Sequence, residues 1–332
     1  MNANIVDQSQ KFSFSMPLIT GGVNFNSNPS ILKNIIGQEG ALKKLSFFLG
    51  SYSAKMPVLP TMLFSGSQGL GKSFMAEKVA QALNRQLVEV NCGTITTAKD
   101  FVEGVLFEKV FGEQPKTLLL DETQKVSPEI TTILLSMLAP KNATTNTFSY
   151  KHWCIEYDFT KINTIFATTD AYRIAPALLN RCEEIYFNLY SNEELFNILK
   201  VYLPDITIVC DKEDLSFACR GRARDAFLIS NNIRRYCSMN NSSIFDQIGW
   251  DYVKNVFGIH AMGLNNQEIA LMKMISIYQP ISSGNLAVKM GVNLQNIESE
   301  LETRPRELGF IENSTRGRIL TDKGIKYLKD LA

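Results

Sequence analysis

Gly66-Ser67-Gln68-Gly69-Leu70-Gly71-Lys72-Ser73 is the stretch whose reading decides the fold. It fits G-x-x-x-x-G-K-[ST] at every required position, with an apolar run at 61–64 before it and a helical pattern at 74–83 after it. A strand, a glycine-rich loop and a helix in that order cradle a triphosphate. The glycines let backbone N–H groups turn inward around phosphate oxygens, and the helix adds the positive end of its dipole. The binding set is therefore Gly66, Gly69, Leu70, Gly71, Lys72, Ser73 and Phe74. Lys72 reaches the β- and γ-phosphates, and the Ser73 hydroxyl ligates Mg²⁺. A glycine-rich turn could arise by chance, but here motif, strand and helix coincide.

Downstream, Leu118-Leu119-Leu120-Asp121-Glu122 ends a second apolar run in an acidic pair. Such a pair is often only a strand end meeting solvent. After a phosphate loop and on a separate strand, it reads as Asp121 serving Mg²⁺ and Glu122 polarising an attacking water. Phe166-Ala167-Thr168-Thr169-Asp170 closes a later strand. Thr168 faces the γ-phosphate if that strand lies between the other two; the alternative is a helix cap by Thr169 or Asp170. Arg181, in Asn180-Arg181-Cys182, and Arg224, in Arg220-Gly221-Arg222-Ala223-Arg224, are candidate cationic contacts. Their order after the other motifs distinguishes them from ordinary solvated arginines.

Further strands read at 87–91, 117–120, 162–167 and 185–187, with helical patterns between them, such as 128–138. That alternation implies a parallel sheet covered on both faces. From Tyr190 to about Gly258 only helical segments are expected, opened by Ser191 and Glu194 as a capping box. From 265 on, helices at 265–277, 283–290 and 293–301, a hairpin at 309–320 turning over 313–317, and a last helix at 322–331 describe a winged helix. The expected division is 1–28 a flexible arm, 29–189 the α/β sheet domain, 190–258 a small all-α lid, and 259–332 the winged helix.

Hydrophobic residues make up 45% and charged residues 20% of the 332, which suits a globular chain of two or three domains. No apolar run approaches the ~18 residues of a membrane span, and the first 28 residues lack an export signal's apolar core. A cytoplasmic protein is expected. The six cysteines form no C-x-x-C pair and only two histidines exist, which argues against a zinc site. The net charge of +1 does not announce a nucleic-acid binder, so any such surface must be local.

Together, Ile36-Gly37-Gln38, the phosphate loop, the Asp121-Glu122 pair, the Ala167-Thr168-Thr169 strand end, Arg181 and the Arg220 to Arg224 segment resemble the AAA+ ATPases. Within them the chain is similar to the RuvB family of Holliday-junction branch-migration motors, over roughly residues 29 to 331. Cys219-Arg220-Gly221-Arg222-Ala223-Arg224 resembles that family's Ser-Arg-Gly-Thr-Pro-Arg. Gly309-Phe310-Ile311 with Ser314-Thr315-Arg316-Gly317-Arg318 resembles its wing. Where the family carries Asp-Glu-Ile-His, this chain has Asp121-Glu122-Thr123-Gln124.

The resemblance implies ATP and Mg²⁺ as cofactors, Thr168 as a γ-phosphate sensor and Arg224 as a contact from the lid. It implies Arg181 as an arginine finger on the neighbouring subunit, hence a homo-oligomeric ring, by analogy a hexamer. It places Arg316 and Arg318 against duplex or branched DNA, and a RuvA-like partner on the hairpin at 147–159. The Ala167-Thr168-Thr169-Asp170 and Arg181-Cys182 segments look more like a clamp loader's, so an ATPase opening a sliding clamp is the alternative. A third reading is a nucleotide-gated module without turnover.

From 259 to 332 there are nine Lys/Arg against eight acids. A winged helix so balanced can equally be a protein–protein module. Arg316 and Arg318 at a turn tip favour phosphate contact, independent of sequence and sensitive to salt. The expected recognition helix at 293–301 carries Gln295, Asn296, Glu298 and Glu300, and its acids would repel a groove.

Overall fold

The computed structural model describes residues 4–7, 13–14, 27–53, 58–138, 145–150 and 153–331. The chain divides into two compact units, Met1–Leu189 and Tyr190–Ala332. Among the described residues no helix is long and apolar enough to cross a membrane.

The first unit is built on five parallel strands: β1 Thr61–Ser65, β2 Gln86–Asn91, β3 Lys116–Asp121, β4 Ile162–Thr168 and β5 Cys182–Tyr186. They lie in the order β2-β3-β4-β1-β5. Strands buried on both faces must be apolar throughout, and Leu118, Leu119, Leu120, Ile165, Phe166 and Ala167 are all buried. Alternation sends Leu118, Leu120 and Phe166 into one core cluster with Phe101, Val102, Ile130 and Leu134 of the helices Asp100–Val110 and Pro128–Met137. Each such side chain contributes about 1.5–3 kcal/mol on leaving water. The helix Lys72–Ala82 packs against β2, β3 and β4, and the helix Glu39–Ser51 against β5. The strand order switches at β1, because β2, β3 and β4 lie on one side of it and β5 on the other. Ligands of open parallel sheets bind outside the carboxyl ends at such a reversal.

Thr145–Tyr150 and Trp153–Asp158 pair as an antiparallel hairpin. Of the flexible arm expected over 1–28, the described residues at 4–7 and 13–14 form strands. Asn4–Asp7 pairs antiparallel with the hairpin's second strand, and Ser13–Phe14 pairs with Asn4–Asp7. The hairpin edge offers unpaired backbone groups, which these short segments fill.

In the second unit the helices Asn192–Tyr202, Lys212–Ala218, Ala223–Met239 and Gln247–Phe257 come first. The Ser191/Glu194 capping box forms as expected. A purely helical segment does not: Thr207–Ile208 and Ile244–Phe245 pair as a short parallel bridge. Two residues are too few for any periodicity to show.

The helices Asn266–Tyr278 and Ser283–Met290 follow. The expected helix at 293–301 begins as an α-helical turn, Leu294–Asn296, widens over Ile297–Leu301, and is extended by Thr303–Glu307. The hairpin pairs Ile311–Ser314 with Gly317–Leu320, so its tip is only Thr315-Arg316. Arg318 N donates to Ile281 O at 2.7 Å, and Arg318 O accepts from Ile281 N at 3.1 Å. That approach needs Gly317: at its φ of 137° a Cβ would sit 2.5 Å from the Ile281 backbone.

Candidate functional site

The phosphate loop leaves β1 at Ser65 and enters the helix at Lys72. Gly66, Gly69 and Gly71 adopt φ of 139°, 82° and 92°, which L side chains rarely adopt. At Gly66 space is closed as well, since a Cβ would lie 2.5 Å from the Phe187 carbonyl. The Lys72 ammonium folds back over the loop and donates to Gly66 O at 2.7 Å and Ser67 O at 2.8 Å. An ammonium sharing carbonyl dipoles inside a glycine loop can exchange them for phosphate oxygens without leaving its position. Leu70 is buried, Ser73 half-buried, and Phe74 exposed with Lys78 over its ring at 5.2 Å.

Strand register gathers the next residues. Ser65 pairs with Thr168, Leu120 with Phe166, and Asn91 with Asp121. Asp121, Thr168 and the mouth of the phosphate loop therefore share the carboxyl edge of the sheet, with β4 between β3 and β1 as the Thr168 reading requires.

Asp121 Oδ1 accepts from Glu122 N at 2.9 Å. Glu122 turns into the left-handed region at φ 55°, uncommon for a residue with a Cβ and concentrated at functional turns. The buried Thr123 hydroxyl donates to Leu120 O at 2.6 Å and anchors that turn.

Gln124 is the residue that sequence reading passed over. Its Oε1 accepts from the Thr168 hydroxyl at 2.6 Å, and its Nε2 donates to Glu122 Oε2 at 3.0 Å and Thr169 Oγ1 at 3.3 Å. Lys125 Nζ also approaches Glu122 Oε2, at 3.2 Å. The only signal was that an amide stands where the resembling family has an imidazole. Thr168 also accepts from Asp170 N at 3.0 Å, while Asp170 holds the N-cap position of the turn Ala171–Arg173 without a side-chain cap bond. At the end of β2 burial, and then the Asp121 and Glu122 charges, push the Cys92 thiol up to about 12, leaving it unreactive.

The structure does not bring Arg181 to this edge. It precedes β5, whose first residue, Cys182, pairs with Thr61 at the start of β1. One strand length, roughly 16 Å at 3.3 Å per residue, separates it from the phosphate loop. Arg181 is exposed and donates to Leu135 O.

Arg224 belongs to the second unit, exposed on the first turn of Ala223–Met239. Its motif neighbour Arg220 is instead locked in place. Arg220 Nε donates to Gly263 O at 2.7 Å, and its two terminal nitrogens reach the Glu268 carboxylate at 3.1 and 2.7 Å. Burial holds the Glu268 carboxyl above its ordinary range, and Arg220 offsets only part of that rise.

The wing pair needs correcting. Arg316 stands exposed at the hairpin tip. Arg318 does not: its Nε donates to Glu302 Oε1 at 2.8 Å, and its Nη2 lies 3.2 Å from Glu298 Oε1. Glu302 is 1% exposed and also binds Arg306 through Nε at 2.9 Å. A guanidinium committed to two carboxylates is a structural clamp and not a free phosphate ligand.

Residues 62–189 match the family described as ATPase family associated with various cellular activities (AAA), and residues 261–329 match the RuvB C-terminal winged helix domain. The chain is an AAA+ ATPase resembling RuvB. This RuvB-like chain is 26% identical over 327 residues to the Holliday junction branch migration complex subunit RuvB of Fervidobacterium nodosum, covering 94% of this chain and 91% of that one. It is 26% identical to the same-named subunit of Ehrlichia canis, covering 92% and 94%. In fold it is similar to the Thermotoga maritima RuvB Holliday junction branch migration motor, with TM-score 0.73 at 23% identity over 90% of this chain and 98% of that one. The RuvB-like chain thus joins an AAA domain, holding the loop, Asp121, Glu122, Thr168 and Arg181, to a winged helix holding Arg316 and Arg318.

Proposed function

We propose that the protein is an ATP-hydrolysing motor on branched duplex DNA that drives migration of Holliday junctions in recombination or repair, working as a homo-oligomeric ring in the cytoplasm. The observation that carries the reading is the convergence of Lys72, Asp121, Glu122 and Thr168 on one sheet edge, in a chain that also bears a RuvB winged helix. The relatives' names supply the junction.

The residues present fit a nucleotide and its metal. Gly66 has no room for a side chain beside Phe187, and the Ser73 hydroxyl and Asp121 carboxylate are hard oxygen donors suited to Mg²⁺. Bound Mg²⁺ would supply charge neutralisation on the phosphates. Backbone N–H groups of Gly69, Leu70, Gly71, Lys72, Ser73 and Phe74 orient the phosphate chain. Glu122 accepts a proton from the attacking water, and Thr168 donates its hydroxyl to the γ-phosphate. Arg181 lies a strand length from its own loop, which suits service to a neighbouring subunit, where an arginine finger is worth about 10³–10⁵ in rate. Arg316 touches the DNA backbone, and the hairpin at 147–159 receives a RuvA-like partner. The division at 258 between lid and winged helix stands as part of this proposal.

The test is ATPase activity with and without a four-way junction, together with ATP-dependent strand displacement on that junction. Junction-stimulated displacement supports the motor. Turnover stimulated only by a sliding clamp would instead select the clamp-loading switch, and binding without turnover the passive module. Arg181→Ala and Lys72→Ala proteins, each inactive, should regain part of the rate when mixed. No recovery would sink the shared site.

A further inference from the structure

The amide of Gln124 spans two groups to which the proposed chemistry assigns separate tasks. It accepts the Thr168 hydroxyl proton at 2.6 Å and donates to Glu122 Oε2 at 3.0 Å. We propose that Gln124 is a positioning residue that reports γ-phosphate occupancy at Thr168 to the carboxylate of Glu122. The inference deepens the ATPase reading and rests on it.

The argument is one of proton count. A threonine hydroxyl has a single proton to donate. In this structure that proton points at Gln124 Oε1. A γ-phosphate oxygen is only an acceptor, so Thr168 can bind it only by withdrawing the proton from Gln124. The amide then loses its one acceptor-side tether. Its donor side, shared between Glu122 and Thr169, is free to turn.

Glu122 feels this directly. Among the described residues, the side-chain contacts to Glu122 come from Gln124 and Lys125, and both fall on Oε2. Oε1 is then the oxygen that takes the proton of the water in this reading. Holding Oε2 sets the carboxylate plane, and changing the hold when the γ-phosphate arrives resets that plane for proton abstraction. Lys125 keeps the carboxylate paired while the amide moves. The bond that forms is Thr168 to phosphate and the bond that breaks is Thr168 to Gln124. No covalent change is needed.

Three single variants and one double variant test the relay against a merely structural role, each first checked for ATP binding. Gln124→Ala should lower kcat about tenfold or more and leave KM within about twofold, since general-base efficiency depends on orientation. Thr168→Val should lower kcat too, and the double variant should be no worse than the poorer single one, because both break one chain.

Gln124→His is the diagnostic variant. A neutral imidazole accepts on one nitrogen and donates from the other, so it restores the relay; an imidazolium can only donate. Its kcat should stand near wild type at pH 8 and fall toward the Gln124→Ala rate at pH 6, through an ordinary histidine pKa of about 6.5, while wild type shows no such step. Multiplicative losses in the double variant, a KM effect without a kcat effect, or a Gln124→His rate that ignores pH would each overturn the relay. Absence of turnover in the wild-type protein, or normal turnover in Glu122→Gln, would instead overturn the underlying ATPase reading.

Discussion

The carboxyl edge of the parallel sheet and the wing of the second unit both present polar residues on a fixed frame, yet they are fixed by different means. At the sheet edge the backbone decides. Gly66, Gly69 and Gly71 take conformations that other residues rarely adopt, and strand register sets Thr168 beside Ser65. In the wing, side chains decide. Arg316 and Arg318 are two residues apart, and one is exposed while the other is clamped by Glu302 and Glu298. A site made by backbone can be read from residue types and spacing. A site made by ion pairs depends on partners sixteen and twenty residues away.

The contrast can be broken at several points. The largest effect belongs to Glu122→Gln, which should bind ATP yet lose about 10²–10⁴ in turnover, the usual worth of a general base. Single-turnover hydrolysis checks it, and an unchanged rate would remove Glu122 from the chemistry.

Next comes Glu302→Ala, which leaves Arg306 and Arg318 without their buried carboxylate. A loss of about 3–5 kcal/mol is expected. Denaturant unfolding of the second unit reads this, and a loss under about 1 kcal/mol would show that the clamp is not structural.

Smaller still is Gly66→Ala, whose Cβ meets the Phe187 carbonyl at a strained φ. It should cost about 1–3 kcal/mol and weaken ATP binding together with thermal stability. Full affinity would mean that the loop can move aside.

The mildest change is Arg316→Ala. It should leave the melting temperature unaltered, weaken duplex binding evenly across sequences, and lower the salt slope by about one. Arg318→Ala should do the reverse, costing stability first. If both variants affect DNA binding alike, the division between them fails.

Much of the first unit was legible because strands buried on both faces leave unbroken apolar runs, as in Leu118-Leu119-Leu120, and because a phosphate loop constrains its own sequence. Helix boundaries followed from caps such as Ser191 with Glu194. What escaped notice had no local signature. Gln124 gains its meaning from Thr168, forty-four residues away, and Arg220 from Glu268, forty-eight away. The bridge of Thr207–Ile208 with Ile244–Phe245 is too short to pattern, and the pairing of Asn4–Asp7 depends on an edge made far along the chain.

The reciprocal bonds between Ile281 and Arg318 have a mechanical consequence. They sew the root of the hairpin to the loop ahead of helix Ser283–Met290, while Gly317 lets the two backbones touch. The wing is thereby a short stiff lever with its fulcrum at Ile281. Any tilt of that loop swings the guanidinium of Arg316 through an arc, so force applied within the protein is delivered as sideways travel at the tip.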